Sequence, residues 1–389
     1  MVKPVFEAPR LLANKVAIVG AGLAGTATAQ VLSTAGIECH LFDPEPASGA
    51  SGNAQGMLYV APQIDPTPAS RFWLQAFDLA CEQYSKRPEF HASGLLCLAE
   101  DDAHETRLRR IYERLARSAS DLAWVNADEA SSIAQIPLLR SGLYWPKSGW
   151  MAVRNFVLRE LEGVIRRAER VEQIVEVGEQ VKVNQETFDL VILSNAYSAQ
   201  AFLPVYLSPK PVRGQISRIK GPSPKAAACA EGYLTPADSE GWASFGASFV
   251  PNDADSDLRA EDDRFNQTLM TQLIGHELSG QAGLSRASIR CASPDYLPMV
   301  GALPNAEIWM EGLSKLRTDA KWKPERAMCA YRRVMVNIGH GSRGLTSTPL
   351  AARILLQQIT GQPVPADDDI PSHVNPARFL VRALKRNQI

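Results

Sequence analysis

The sequence has no surplus of either charge. Forty-one lysines and arginines against 42 acids leave a formal net charge of −1 over 389 residues. The molecule as a whole therefore has no field that would draw in nucleic acid, and any such contact must use a local patch. Cysteine is sparse and scattered: Cys39, Cys81, Cys97, Cys229, Cys291 and Cys329 form no CxxC pair and have no histidine cluster beside them. That argues against a zinc site and against a disulfide framework, and it fits a reducing cytoplasm. No low-complexity tract and no repeat at a solenoid period is visible. One stretch, 16–37, lacks charge altogether, and about 20 apolar residues suffice to cross a bilayer. Four glycines, three threonines and a glutamine interrupt it, so it is read as a short apolar run, a glycine turn and an amphipathic continuation. It is neither a membrane span nor a signal peptide. The polar 1–14 leader, with two prolines, has the character of neither a signal n-region nor a transit peptide.

The length favours two domains. Residues 15–19 are an apolar, β-rich run bounded by Gly20; a helix fits 25–35, stopped by Gly36, and a second strand fits 38–42. This βαβ unit ends on Asp43, 18 residues beyond Gly25, near the offset at which a dinucleotide fold places its ribose-binding acid. Helices are expected over 71–86, 104–119 and 155–167. In the second of these, Arg107, Arg109, Arg110, Arg114 and Arg117 alternate with Leu108, Ile111 and Leu115 as on a solvated face. A hairpin is expected over 171–183 around Gly178, and a buried strand over 188–194 runs into Asn195-Ala196. From 211 to 250 strand-like pieces alternate with Gly/Pro turns, as in an antiparallel sheet. A last strand, 333–339, delivers His340-Gly341-Ser342-Arg343-Gly344 into a loop. A helix follows, expected to start with Thr348 as N-cap and Pro349 in its first position and to stop at Gly361. Its N-terminus would suit an electron-rich ligand group.

The motif Gly20-Ala21-Gly22-Leu23-Ala24-Gly25 carries the chemistry of this reading. Gly20 allows a tight turn, Gly22 lets the backbone approach a pyrophosphate, and Gly25 allows close helix–strand packing. Asp43 would accept hydrogen bonds from the adenosine ribose hydroxyls. NAD and FAD share this fingerprint. The 48–56 loop (Ser48, Gly49, Ser51, Gly52, Asn53, Gln55, Gly56) supplies small donors without bulk, as needed where a chain crosses a flavin; by composition alone it could equally be idle. Arg290 offers a fork for a substrate carboxylate or, more plainly, a salt bridge to Asp295 or a neighbour. Arg343 is similar, within a glycine-flanked loop. His340 is left without a catalytic role, because a flavin takes hydride equivalents from an amine with a free lone pair and needs no side-chain base.

Several segments carry a resemblance: Ser48-Gly49-Ala50-Ser51-Gly52-Asn53, Gln55-Gly56, Arg290-Cys291-Ala292, Asp295-Tyr296-Leu297-Pro298-Met299-Val300-Gly301 and Gly341-Ser342-Arg343-Gly344-Leu345. Together they resemble the D-amino-acid/glycine oxidase (DAO) superfamily of FAD-dependent amine oxidases, and within it the oxidase-domain family of MnmC, which modifies the tRNA wobble uridine. Pro363, Pro365, Asn375-Pro376 and Arg378-Phe379-Leu380-Val381-Arg382 extend the likeness through the tail. Ala54 departs from the basic residue expected there, and 305–332 matches poorly.

The resemblance implies an α/β fold: a discontinuous Rossmann-type FAD-binding domain (14–75, 150–208 and 333–389) and an interleaved α+β substrate-binding domain on an antiparallel sheet (76–149 and 209–332). It implies that FAD is held by Gly20, Gly22, Leu23, Ala24, Gly25, Asp43, Ser48, Ser51, Gly52, Asn53, Gln55 and Gly56, and by Gly341, Ser342, Arg343, Gly344, Leu345 and Thr346. No metal is expected. Arg290 and Arg343 become the candidates for a substrate carboxylate, with Ser342 and Tyr296 behind them. The implied reaction converts 5-carboxymethylaminomethyl-(2-thio)uridine to the 5-aminomethyl form in cytoplasmic tRNA, releasing glyoxylate. In bifunctional members a methyltransferase domain precedes this one, so a free-standing oxidase working with a separate methyltransferase is expected. For the tRNA the tail (Arg378, Arg382, Lys385, Arg386) and a second cluster (Lys315, Arg317, Lys321, Lys323, Arg326) are the candidates. The rival readings are a small-molecule oxidase of glycine, sarcosine or a D-amino acid, and a non-catalytic flavin-binding partner of a methyltransferase.

Overall fold

The computed structural model describes residues 5–7, 9–277 and 279–389; part of the 1–14 leader, at 1–4 and 8, lies outside them. The chain forms two compact units, Met1–Ser48 with Val157–Lys210 and Cys291–Ile389, and Gly49–Phe156 with Pro211–Arg290. Relative to the expected boundaries four stretches lie on the other side: 49–75 and 150–156 in the second unit, 209–210 and 291–332 in the first. Residues 49–75 fall in the second unit, where they open the helix Pro68–Tyr84. Residues 291–332 fall in the first, because Met299–Pro304 pairs antiparallel with Tyr331–Ile338 and completes that unit's sheet.

The first unit is built on a six-stranded sheet in the order 299–304, 331–338, 190–193, 15–19, 38–42, 165–167, parallel apart from its first strand. Lys15–Val19 and Leu190–Leu193 are central and almost wholly buried, as expected of apolar strands covered on both faces. Ala17, Val19, Val191, Leu193, Val334 and Val336 share one core with Phe42 and Phe188. The expected helix over 155–167 is shorter, Val153–Glu160. The chain turns at Gly163, and Ile165–Arg167 pairs with Glu38–Phe42 instead, satisfying an edge that would otherwise be open. The hairpin around Gly178 forms from Ile174–Val177 and Gln180–Val183.

In the second unit the long strand Lys210–Lys220 pairs antiparallel with Trp242–Gly246, and Leu95–Leu98 pairs parallel with Ala227–Cys229. The helix Ala260–Ile274 covers this sheet through Leu269, Met270 and Leu273. The arginine-rich helix is Asp102–Leu115. Among the described residues no helix is long and apolar enough to cross a membrane.

A small separate core organises the tail. Ala377, Leu380, Val381 and Leu384, on one stripe of the helix Ala377–Lys385, pack against Trp309, Leu313 and Leu316. The opposite stripe holds Arg378 and Arg382, and both grip Asp295: Arg378 through Nε and Nη2 at 3.0 and 2.9 Å, Arg382 at 2.9 Å. Arg378 also donates to the carbonyls of Val374, Asn375, Leu297 and Pro298. These two arginines were expected to face RNA. They are consumed instead by a partly buried carboxylate, which cannot stay charged without them.

Burial would raise the Asp295 pKa, but the bonds and charges of Arg378 and Arg382 outweigh it and hold it below the ordinary carboxylate value. The folded state thus binds its proton less readily than the unfolded chain. The stabilisation is present above the normal carboxylate pKa and is lost as pH falls through the folded one. Asp295→Asn should destabilise the protein by on the order of 2 kcal/mol at neutral pH and should flatten the fall of the melting temperature below about pH 4. An unchanged acid limb in thermal melts of the variant would contradict this.

Candidate functional site

The first unit presents two helix N-termini at the carboxyl end of its parallel strands. Gly20 sits at φ +103°, and a Cβ there would lie 2.7 Å from the Ser194 carbonyl oxygen and the Asn195 Cα. A Cβ on Gly25 would run into the Gly20 carbonyl. The turn can therefore form only with glycine at both places. The helix that follows, Leu23–Thr34, has Gly22 as N-cap, no side-chain cap and no acid in its first turn. The helix N-terminus thus directs its positive dipole end into a site suited to phosphate. Buried beside this turn, Thr26 Oγ1, Ser194 Oγ and Asn195 Oδ1 have no hydrogen-bond partner among the described residues. Orphaned polar atoms of this kind fit a polar ligand. Ser194 and Asn195 were not singled out from the sequence, although a buried strand running into Ser-Asn at the sheet's carboxyl edge is the signal that points to them.

Asp43 is placed as expected, after the second strand. Its Oδ2 accepts from Ala21 N at 2.6 Å and its Oδ1 from Glu45 N at 2.8 Å. It pins the turn first, and each oxygen keeps a second lone pair for a ribose hydroxyl.

The second helix begins earlier than its proline signature implies. It spans Gly344–Thr360 with Arg343 as N-cap and ends on Gly361. Thr348 is not the cap: its hydroxyl donates to the Gly344 carbonyl, and Pro349 lies inside the helix. Because Pro349 is only one and a half turns in, its missing N–H removes a single bond near the end, where the cost is small. Leu345 and Thr346 are buried in the first turn, and Ser342 is exposed. Gly341 N donates to the Cys291 carbonyl at 2.7 Å, fixing the loop.

His340 is held on both sides, Nδ1 2.8 Å from Ser347 Oγ and Nε2 3.0 Å from Asn337 Oδ1; Asn337 Nδ2 in turn donates to Thr28 Oγ1 and the Ala24 carbonyl. This chain ties the end of the last strand to both helix N-terminal regions. Burial pushes the His340 pKa down to about 4, so the ring is neutral and works as a strut.

In the second unit, Arg290 is a cation without an anion. Its Nη1 donates to the Ser248 carbonyl at 3.3 Å, and among the described residues no carboxylate pairs with it. Burial presses its pKa downward, opposed only by the neighbouring Tyr233. Asp295 belongs to Arg378 and Arg382, so the salt-bridge reading of Arg290 is set aside. The guanidinium lies against Gly214, where any Cβ would overlap it. Tyr233, whose phenol burial raises to about 12, joins Arg290 as a candidate that the sequence reading missed.

Other expected contacts resolve differently. Gln55 is buried inside the second unit, with one Nε2 N–H donated to the Pro236 carbonyl and Oε1 taking the hydroxyls of Thr235 and Ser244. Its second amide N–H remains for a further acceptor. In the same unit Ala50–Gly52 forms a tight turn, Gly56 opens a short strand, and Asn53 Oδ1 is buried without a protein partner. Ser48 and Ser51 each keep an interaction of their own. Tyr296 stands 69% exposed at a left-handed turn, so its own unit gives it no pocket wall. Arg343 is engaged in an interaction rather than held in reserve.

Two outcomes follow. Gly214→Ala should displace the Arg290 guanidinium and raise KM for a carboxylate substrate about tenfold or more with flavin content unchanged; an unaltered KM would separate Gly214 from the site. For His340, the folded pKa lies below the unfolded one, so stability falls as pH drops from about 6.5 towards 4. His340→Gln should remove that slope from urea melts.

Comparison with known proteins matches this geometry. Residues 15–358 fit the family described as DAO, FAD dependent oxidoreductase. Two curated relatives, each named tRNA 5-methylaminomethyl-2-thiouridine biosynthesis bifunctional protein MnmC, are 32% identical over 98% of the chain (Chromohalobacter salexigens) and 33% identical over 99% of it (Pseudomonas syringae pv. tomato). The chain spans about 60% of their length, 59% and 62%. Among solved structures, glycine oxidase from Geobacillus kaustophilus superimposes with a TM-score of 0.69 at 20% identity, covering 91% of this chain and 97% of that one. Amadoriase I from Aspergillus fumigatus gives 0.73 at 14%, covering 97% and 93%. These likenesses confirm the fold, and the chain belongs to the DAO family of FAD-dependent oxidoreductases.

Proposed function

We propose that this oxidoreductase acts on the wobble uridine of tRNA, converting a 5-carboxymethylaminomethyl group to 5-aminomethyl. The substrate group is a secondary amine, uridine-CH2-NH-CH2-COO⁻. Loss of a hydride equivalent from its glycine carbon and a proton from nitrogen gives an imine, and water then releases glyoxylate and leaves the primary amine. Bound FAD supplies the two-electron acceptor.

The observation that carries this reading is the half-buried guanidinium of Arg290, with which no carboxylate pairs among the described residues. A desolvated cation without a protein carboxylate is stabilised by a ligand's carboxylate, and the planar fork fixes that ligand's orientation. Tyr233 adds a hydroxyl beside it. Arg343 and Ser342 border the second helix N-terminus and are proposed to orient the reacting end of the substrate. No side-chain base is required, because the amine needs only to present its lone pair, so positioning is the protein's main contribution.

The likeness to MnmC proteins over nearly the whole chain supports a tRNA partner and hence a cytoplasmic location. The methylated product in those proteins' name supports a methyltransferase acting on the amine formed here.

Anaerobic mixing with tRNA carrying the carboxymethylaminomethyl group should bleach the flavin and yield one glyoxylate per reduced flavin. Arg290→Ala should keep its flavin absorbance and slow reduction by about a hundredfold or more, and Arg290→Lys should rescue little of it. Fast bleaching by sarcosine or glycine with none by the tRNA would replace this function with that of a small-molecule amine oxidase.

A further inference from the structure

Two basic segments some 60 residues apart in sequence meet on one corner of the first unit. The apolar stripe of the helix Ala377–Lys385 is seated on Trp309, Leu313 and Leu316, so the end of that helix lies against the short turn Ser314–Arg317. Arg317 Nε donates to the main-chain oxygen of Ile389 at 2.9 Å, closing the corner. Lys315, Arg317, Lys321, Lys323, Arg326, Lys385 and Arg386 are all exposed. Among the described residues none of the seven forms an ion pair, and the Lys315 ammonium stands 5.8 Å over the ring of half-buried Trp322.

The contrast with the other basic elements is what gives this corner meaning. Arg378 and Arg382, one and two turns back along the same helix, are spent on Asp295. Arg332 and Arg333 are spent on Glu176 and Glu179. In and beside the arginine-rich helix Asp102–Leu115, Arg117 pairs with Asp78, Arg114 bonds the Gln63 carbonyl and Arg109 stacks on Trp124. The arginines just named have partners, whereas among the described residues the 315–326 and 385–386 cations pair with no Asp or Glu side chain, and Arg317 binds only the main-chain oxygen of Ile389. Asp295 fixes the helix that carries Lys385 and Arg386 to the segment leading back to Cys291, whose carbonyl holds the Gly341 loop.

We propose that this corner docks the phosphate backbone of the RNA that bears the reacting uridine. The inference rests on the tRNA reading above. Spread cations without carboxylates, with an aromatic ring beneath one of them, suit a polyphosphate chain, which binds by counterion release rather than by base readout. Such a surface adds affinity and steering without touching the chemistry.

The test uses the full-length holoenzyme and a quadruple charge reversal, Lys321→Glu, Lys323→Glu, Lys385→Glu and Arg386→Glu. Unmodified tRNA binding is measured across a salt series, alongside oxidation of the free carboxymethylaminomethyl nucleoside. The variant should bind tRNA at least about tenfold more weakly near 0.1 M salt, with a log–log salt slope shallower by about two or more. Its flavin content and its rate on the free nucleoside should match wild type. Neutral Gln replacements at the same four positions should give an intermediate affinity, which guards against misfolding as the cause. Wild-type affinity and slope in the reversed variant would overturn the surface while leaving the oxidase reading intact. Failure of the wild-type enzyme to oxidise the nucleoside in either form would instead overturn the reading on which it rests. Binding of wild type to anionic lipid vesicles but not to tRNA would also sink the proposal.

Discussion

A Cβ at position 25 would collide with the carbonyl of Gly20, and one at position 20 with the backbone of Asn195, so the helix Leu23–Thr34 can approach the sheet only because both are absent. That close approach places an uncapped helix N-terminus over the ends of the parallel strands. It also brings Ala24 and Thr28 within reach of Asn337, and through Asn337 and His340 to Ser347 on the second helix. Two positive helix ends, a strut between them and a carboxylate that pins the first turn are all consequences of that one packing distance.

The second unit is organised around a different constraint, the cost of burying charge. Arg213 is fully buried, and its two terminal nitrogens are met by Asp262, Gln215 and the Asp257 carbonyl. Arg290, on the strand beside it, is left with a single carbonyl. Gln215, Ser248 and Asn266 bond one another's main chain and side chains around these two arginines, so the Ser248 carbonyl is held in place rather than free to follow Arg290. An arginine left open in this way is the one proposed above to take a ligand's carboxylate.

Much of the first unit was legible in the chain because its signals are local. The strand, glycine turn, helix and strand over 15–43 follow from apolar runs and glycine spacing, and the structure bears them out within about two residues. The start of the helix Gly344–Thr360 was misread because Pro349 resembles an N1 proline, although one lost hydrogen bond is tolerated an extra turn in. The edge strand Ile165–Arg167 was taken for helix because a three-residue strand is decided by its neighbour's open edge and not by its own periodicity.

By itself the sequence determined the dinucleotide turn, its acid and the family to which they belong, since these depend on residue type at fixed spacing. Only the tertiary structure decided how charge is apportioned. It assigned Asp295 to Arg378 and Arg382 and not to Arg290, withdrew Gln55 into the second unit's interior, and gathered Lys315 to Arg326 with Lys385 and Arg386 on one corner. The reason is physical. A turn is fixed by sterics among neighbours in sequence, whereas whether a cation is spent or free depends on which distant carboxylate folding brings within a few ångströms and removes from water.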